Sequence, residues 1–262
     1  MVTRKKSQSV ALRNDALLAR IKAIKADHPA WGYRRVWAYL RYREGLKVNK
    51  KRIYRLLREN HLLATQTRNN KAKRTPSCSK PRTSKPNDIW GIDMTKVMVE
   101  SWGWVYLHVV FDWGSKKIVN WQLSPRSKTA DWLEALSGAV NEQFPGGIRQ
   151  AGCLRLISDN GCQPTSIGFI AACRALEVKQ IFTSYNNPKG NADTERAIRT
   201  LKEDLIWPRE WNSYQQLENA LKCWVEDYNE DFPHSSINYL TSAQYEQKHL
   251  KKKRFKHSLT FA

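Results

Sequence analysis

Three closely spaced runs of β-branched and aromatic residues constrain the fold of this chain more than any other feature: IWGIDMTKVMV from residue 89, WVYLHVVFDW from residue 104 and KIVNWQLSP from residue 117. They are separated only by the turn segments ESWG and GSK. Turns this short join antiparallel neighbours, so the three runs predict an antiparallel meander. Helical periodicity follows over 130–142, ended by Pro145, Gly146 and Gly147. A strand over 154–157, a helix over 166–176, a strand over 180–183, a helix holding Glu195 and a last amphipathic helix over 214–228 complete the pattern. The order β-β-β-α-β-α-β-α-α predicts an α/β unit, a mixed sheet with flanking helices.

Within this frame Asp93 interrupts a run that is otherwise apolar (Ile89, Trp90, Ile92, Met94). A charged side chain there has to be paired, metal-bound or exposed at a cleft, because burying it alone is costly. Asp159 follows a strand in LISDNGCQ, so it is expected at the exposed carboxyl end of that strand. Glu195 follows after 35 intervening residues, and Lys202 stands seven beyond it, two helical turns along one face. If the first strand lies beside the fourth, Asp93 approaches Asp159, with Glu195 supplied from the helix packed alongside. Neighbouring carboxylates repel unless a cation lies between them, and hard oxygen ligands suit Mg²⁺ or Mn²⁺. Three carboxylates can hold two ions about 3.5 to 4 Å apart, the arrangement used for in-line phosphoryl transfer. Singly, each acid also has an ordinary explanation: a turn-former, a strand-edge residue and a solvated helical charge. Asp112 reads as the cap of a turn, and Asp193 and Glu203 point away from the face carrying Glu195.

The amino-terminal third differs in character. Residues 1–86 carry 24 Lys and Arg against 4 acids, nearly all of the formal net charge of +21. A basic arm of this kind neutralises phosphates by displacing condensed cations; a solubilising tail is the blander alternative. Three short helices are expected over 15–60, the first capped by Asn14 or Asp15 and the third, KKRIYRLLREN, by Asn49. In the third, Ile53, Leu56 and Leu57 form an apolar stripe while Lys50, Lys51, Arg52, Arg55 and Arg58 lie outside it. That fits the recognition helix of a helix-turn-helix, and equally a helical hairpin with a solvated charged face. Residues 65–87 are polar, basic and proline-punctuated, and read as a linker. Five scattered cysteines without a C-x-x-C pair make neither a disulfide framework nor a zinc site. Without a signal-peptide core, a lipidation signal or a long apolar run, the chain is expected to be soluble and intracellular, with no membrane partner.

The spacing of Asp93, Asp159 and Glu195, SDNG around the second acid and Lys202 after the third resemble the retroviral-integrase-like DDE core of bacterial insertion-sequence transposases. More narrowly, DHPAWGYRRVWAYL, VNKKRIYRLLREN and YNEDFPHSSINYLTSAQYE resemble the second-frame protein (OrfB) of the IS3 family. Phe232 stands where that family usually has arginine, and Cys162 and Pro164 replace its usual Ser and Tyr, without touching the acids. The resemblance implies an RNase-H-like fold preceded by a small all-α helix-turn-helix domain. The corresponding division is 1–62 for the DNA-binding domain, 63–87 for a flexible linker, 88–245 for the catalytic core and 246–262 for a basic tail. It implies Mg²⁺-dependent cutting of DNA at element ends and joining of the 3′ hydroxyl to a target phosphate. Asp93, Asp159 and Glu195 would be the catalytic and metal-binding acids, with Lys202 contacting DNA. The partners implied are the terminal inverted repeats, target DNA, further copies of the chain in a synaptic complex and an upstream-frame protein joined as a fusion, in the nucleoid of a bacterial cytoplasm. The competing functions are a catalytically silent or domesticated DNA-binding regulator, and an RNase-H-type nuclease that hydrolyses without joining.

Overall fold

A computed structural model describes residues 8–64, 82–147, 153–183 and 190–258. The chain separates into two compact units, Met1–Ala72 and Lys73–Ala262. Most of the expected linker, 65–81, lies outside the described residues.

The first unit is all helical: α1 (Gln8–Asp27), α2 (Tyr33–Tyr42) and α3 (Lys50–Glu59). Leu17, Ile21 and Ile24 of α1 meet Val36, Trp37 and Leu40 of α2 and Ile53, Leu56 and Leu57 of α3 in one buried core. The Trp37 indole, buried in that core, donates to the Val48 carbonyl at 2.8 Å, which satisfies its only polar atom and fixes the turn between α2 and α3. The Asn49 side chain accepts from the Lys51 N–H at 2.8 Å, capping α3. The expected cap of α1 is different. The helix begins six residues earlier, at Gln8, so Asn14 lies inside it and is buried. Its oxygen accepts two bonds from Arg52, at 2.8 and 3.0 Å, so a distant guanidinium occupies the acceptor that would otherwise serve a local cap.

The second unit is a five-stranded mixed sheet in the order β3-β2-β1-β4-β5. Its strands are β1 (Ile89–Val99), β2 (Gly103–Asp112), β3 (Ile118–Ser124), β4 (Arg155–Ser158) and β5 (Lys179–Phe182). The first three form the antiparallel meander, with a register shift at Val110/Phe111, and β4 pairs in parallel with both β1 and β5. Alternation along β1 sends Trp90 and Ile92 to one face. There they pack with Val110 and Val119 against Trp132, Ala135, Leu136 and Ala139 of α4 (Thr129–Gln143) and Phe169 of α5 (Ile167–Ala175). Each large side chain fully buried in this layer contributes about 1.5–3 kcal/mol relative to exposure. Gly91 and Asp93 face the other way, toward α6 (Ala192–Leu201), which continues into a π-helical turn over Lys202–Ile206. α7 (Tyr214–Glu230) then packs beside β3, its Asn229 side chain bonding both the N–H and the carbonyl of Ile118.

Of the expected tail, 246–262, the stretch up to Ser258 belongs to α8 (Ser242–Ser258), and 259–262 lie outside the described residues. Thr241 and Gln244 cap its start reciprocally, Gln244 N–H donating to Thr241 Oγ1 and Thr241 N–H to Gln244 Oε1, both at 3.2 Å. This T-x-x-Q pattern is a capping box visible in the sequence, and the basic composition beyond it masked the signal. Tyr245 donates to the Ser84 carbonyl at 2.7 Å and Glu246 stands 3.6 Å from Lys117, tying the helix to the sheet unit. Among the described residues no helix is long and apolar enough to cross a membrane.

Candidate active site

Strand pairing brings the first two acids together. β1 and β4 run parallel with Trp90 opposite Leu156 and Gly91 opposite Ile157. Two residues further along each strand stand Asp93 and Asp159. Asp159 lies just past the end of β4 and is exposed, its carboxylate accepting from the Gly161 N–H at 3.1 Å in an Asx turn. The Asn160 amide donates to the Thr183 carbonyl, holding that turn to the end of β5. The polar SDNG segment thus presents Asp159 because both neighbours on its carboxyl side are tied down.

Asp93 is half-buried on the α6 face, with Oδ1 accepting from the Met94 N–H at 2.8 Å. Burial pushes its carboxyl up to about 6; the Met94 bond works against this, while the negative charges of Asp159 and Glu195 add to it and the Lys202 ammonium offsets part. Glu195 sits in the first turn of α6, its N–H donating to the Asn191 carbonyl at 3.0 Å. As a whole residue it is exposed, yet partial desolvation of its carboxyl raises its pKa above the ordinary glutamate value. Lys202 closes α6 at the point where the regular helix gives way to the π turn, rather than continuing two regular turns along one face.

Two adjacent strands and the start of one helix therefore direct three carboxylates and an ammonium at one region. Among the described residues no three His, Cys, Asp or Glu side chains stand close enough to form a ready cation cage. The donor chemistry nevertheless fits a hard divalent cation: the atoms are carboxylate oxygens, and the Asp93 carboxylate is disfavoured as an anion by burial first and by the charges of Asp159 and Glu195 second. The remaining acids are engaged elsewhere. Asp112 is fully buried and accepts from Asn87, Gly114 and Ser115; Asp193 faces Lys116 at 3.5 Å; Glu203 takes a bond from Arg199 at 2.8 Å.

On α3 the basic side chains divide. Lys51, Arg55 and Arg58 are exposed. Arg52 turns inward to Asn14, and the Lys50 ammonium lies 4.0 Å from the Trp37 ring centroid. Of the five proposed contacts, Arg52 is the one committed to holding its own unit together.

Three buried residues with polar side-chain atoms stand beside the acids, and their sequence positions alone do not announce them. Asn191, Thr194 and Trp113 converge on Gly91 next to Asp93. The signal that could have found them is Gly91 itself, since a glycine inside a central strand marks a place where something approaches the backbone closely.

Residues 12–70 match the family described as HTH-like domain, and 83–188 and 176–241 match two families each described as Integrase core domain. The chain is 26% identical over 237 residues to the insertion element IS407 uncharacterized 31.7 kDa protein of Burkholderia multivorans, covering 90% of this chain and 82% of the relative. It is 24% identical over 236 residues to the transposase InsD of insertion element IS2 from Escherichia coli, covering 87% of this chain and 77% of that one. Among solved structures, a chain of the simian T-cell lymphotropic virus intasome, determined with the PP2A regulatory subunit B56 gamma, superposes with a TM-score of 0.53. It is 20% identical and the match covers 80% of this chain and 73% of that one, a likeness of fold.

Proposed function

We propose, for a chain that belongs to the IS3 family of insertion-element transposases and carries an HTH-like region ahead of an integrase core, that Asp93, Asp159 and Glu195 are the residues at which DNA strands are cut and joined. The observation that carries this reading is the parallel pairing of β1 with β4, which brings Asp93 toward Asp159, together with the packing of the first turn of α6, bearing Glu195, on the same face of β1; burial first and these two charges second raise the Asp93 pKa. Such an arrangement is costly to the apo fold and is the kind found where carboxylates share a ligand.

The three acids would hold Mg²⁺ or Mn²⁺, two ions in the fully loaded site. A bound divalent cation supplies charge neutralisation at the attacking and leaving oxygens of the phosphoryl group. The chain's own contribution is positioning. Asp93 is fixed by the Met94 bond, Asp159 by its Asx turn and Glu195 by the first turn of α6. Lys202, whose charge already reaches Asp93, would pair with a phosphate of the DNA end. In the joining step the 3′ hydroxyl oxygen of the element end bonds to a target phosphorus. The attacking hydroxyl gives up its proton, the bond from that phosphorus to the target's 3′ oxygen breaks, and the departing oxygen takes up a proton, so that the exchange of one phosphodiester for another balances. Lys51, Arg55 and Arg58 would neutralise phosphates of the terminal repeat, and further copies of the chain would pair two ends in a synaptic complex.

The test is strand transfer on terminal-repeat DNA with Asp93→Asn, Asp159→Asn and Glu195→Gln. Loss of joining in all three with retained DNA binding is the expected result. Joining that survives in any one of them removes that residue from the ligand set. Cleavage without joining in the unaltered protein would favour the hydrolytic nuclease, and binding without cleavage the silent regulator.

A further inference from the structure

Gly91 lies in the central strand β1 with β2 on one side and β4 on the other. A Cβ at this position would meet Thr194 Oγ1 at 1.9 Å, Trp113 Nε1 at 2.7 Å and Asn191 Oδ1 at 2.9 Å. All three neighbours are polar atoms on nearly or completely buried side chains: Trp113 is 1% exposed, Thr194 0% and Asn191 5%. They are organised among themselves. Trp113 Nε1 donates to Thr194 Oγ1 at 3.0 Å. The Asn191 amide donates toward the Ile92 carbonyl at 3.4 Å and the Asp93 carboxylate at 3.5 Å, while its Oδ1 has no hydrogen-bond partner among the described residues. Trp113 is in turn anchored to β1 by its own N–H, which donates to the Ile89 carbonyl at 2.9 Å.

This cluster sits between the strand bearing Asp93 and the helix bearing Glu195. Thr194 immediately precedes Glu195, and the Asn191 carbonyl accepts the Glu195 N–H. The absence of a side chain at Gly91 sets how closely the first turn of α6 can approach β1. We propose that Gly91, Trp113, Thr194 and Asn191 form a positioning lock that fixes Glu195 relative to Asp93 and orients the Asp93 carboxylate, so that the lock sets the affinity of the three-acid site for a divalent cation. The proposal rests on the reading of those acids as cation ligands. Hydrogen bonds that orient metal-binding carboxylates typically change metal affinity by about 10–100-fold when removed.

Thr194→Val keeps the shape of the side chain and removes its acceptor; Thr194→Ser restores the acceptor; Asn191→Ala removes the donor to Asp93. The readout is Mn²⁺ binding to the full chain, followed by electron paramagnetic resonance, with circular dichroism melting on the same samples. Weakening of Mn²⁺ binding by about tenfold or more in Thr194→Val and Asn191→Ala, with recovery in Thr194→Ser and melting within a few degrees of the unaltered protein, is the expected outcome. Unaltered Mn²⁺ affinity in folded Thr194→Val, or in folded Asn191→Ala should the valine variant fail to fold, overturns the lock. Asp93→Asn separates the two levels. If it abolishes Mn²⁺ binding while the lock variants bind normally, only the lock is wrong; if it binds Mn²⁺ normally, the ligand assignment falls and the lock with it.

Discussion

Asp93 on β1 and Asp159 just past the end of the parallel neighbour β4 each lie two residues beyond the pair Gly91–Ile157. The approach of the Asp159 charge to Asp93 is therefore set by strand pairing. With Glu195 added from α6, the Asp93 carboxyl is pushed up to about 6, chiefly by burial and further by the two charges.

This has a consequence for stability in the absence of metal. A carboxyl whose folded pKa is raised binds its proton more tightly in the native state, so its stabilising contribution is complete below the unfolded value and is lost as pH rises through the folded value. For Asp93 the window runs from the ordinary aspartate value of 3.8 to about 6. Asp93→Asn cannot titrate, so it is expected to melt above the unaltered protein at pH 7 and to lose that advantage at pH 4. Thermal melts in chelator across this range check it. An advantage that does not grow with pH would mean that Asp93 is not strained as an anion.

Arg52 offers a second test, because the structure gives it a different job from its neighbours. Removing it leaves the buried oxygen of Asn14 without either of its two bonds, an omission that costs about 1–3 kcal/mol. Arg52→Ala is expected to lower the melting point of the amino-terminal unit, whereas Arg55→Ala leaves it within about 0.5 kcal/mol, as for an ordinary surface substitution. Amide hydrogen exchange of α1–α3 in the full chain distinguishes the two. Equal stability in both variants would return Arg52 to the list of surface cations.

The exposed side of α3 makes the complementary prediction. Lys51, Arg55 and Arg58 face solvent, so each phosphate that one of them neutralises releases condensed cations and steepens the salt dependence of binding. Each alanine substitution is expected to reduce the slope of log affinity against log salt by about 1, uniformly across DNA sequences. Filter binding or fluorescence anisotropy at several salt concentrations measures this. A slope unchanged in all three variants would place DNA on another face of the helix.

The legibility of these features in the sequence follows their range. The meander, the helices and the exposed position of Asp159 depend on local periodicity and turn chemistry, and IWGIDMTKVMV and SDNG carry both. The approach of Asp93 to Asp159 needed the additional assumption that β1 and β4 are neighbours, which the sheet order supplies. What was not legible were relations between residues remote in the chain whose side chains look ordinary: Asn14 with Arg52, and Gly91 with Trp113, Asn191 and Thr194. Asn14 resembles a helix cap by type, and only its burial and its contact with the Arg52 guanidinium distinguish it. Likewise α8 looked like a tail because its Lys-rich composition outweighed one capping box and the anchors at Tyr245 and Glu246.

Those anchors carry the last prediction. Lys117 at the β2–β3 turn lies 3.5 Å from Glu142 of α4 and 3.6 Å from Glu246 of α8, and the Glu246 carboxyl is raised by burial, with Lys117 pulling it back and buried Asp112 pushing it further up. Replacing Lys117 with Met keeps most of the side-chain volume and leaves a largely buried Glu246 facing Asp112 without its cation. The folded pKa of Glu246 then rises again. Since a raised carboxyl loses its stabilising contribution as pH climbs through its folded pKa, the gap between Lys117→Met and the unaltered protein is expected to widen from pH 4 to pH 8. For a unit of this size each kcal/mol of that gap shifts the melting point by about 2–4 °C. Amide hydrogen exchange should show α8 losing protection over the same pH range, because its docking depends on this charge pair. Adding Glu246→Gln to Lys117→Met removes the stranded charge, so the double variant should recover most of the loss at pH 8; a double variant that melts as low as the single one would assign α8 docking to Tyr245 and the capping box alone.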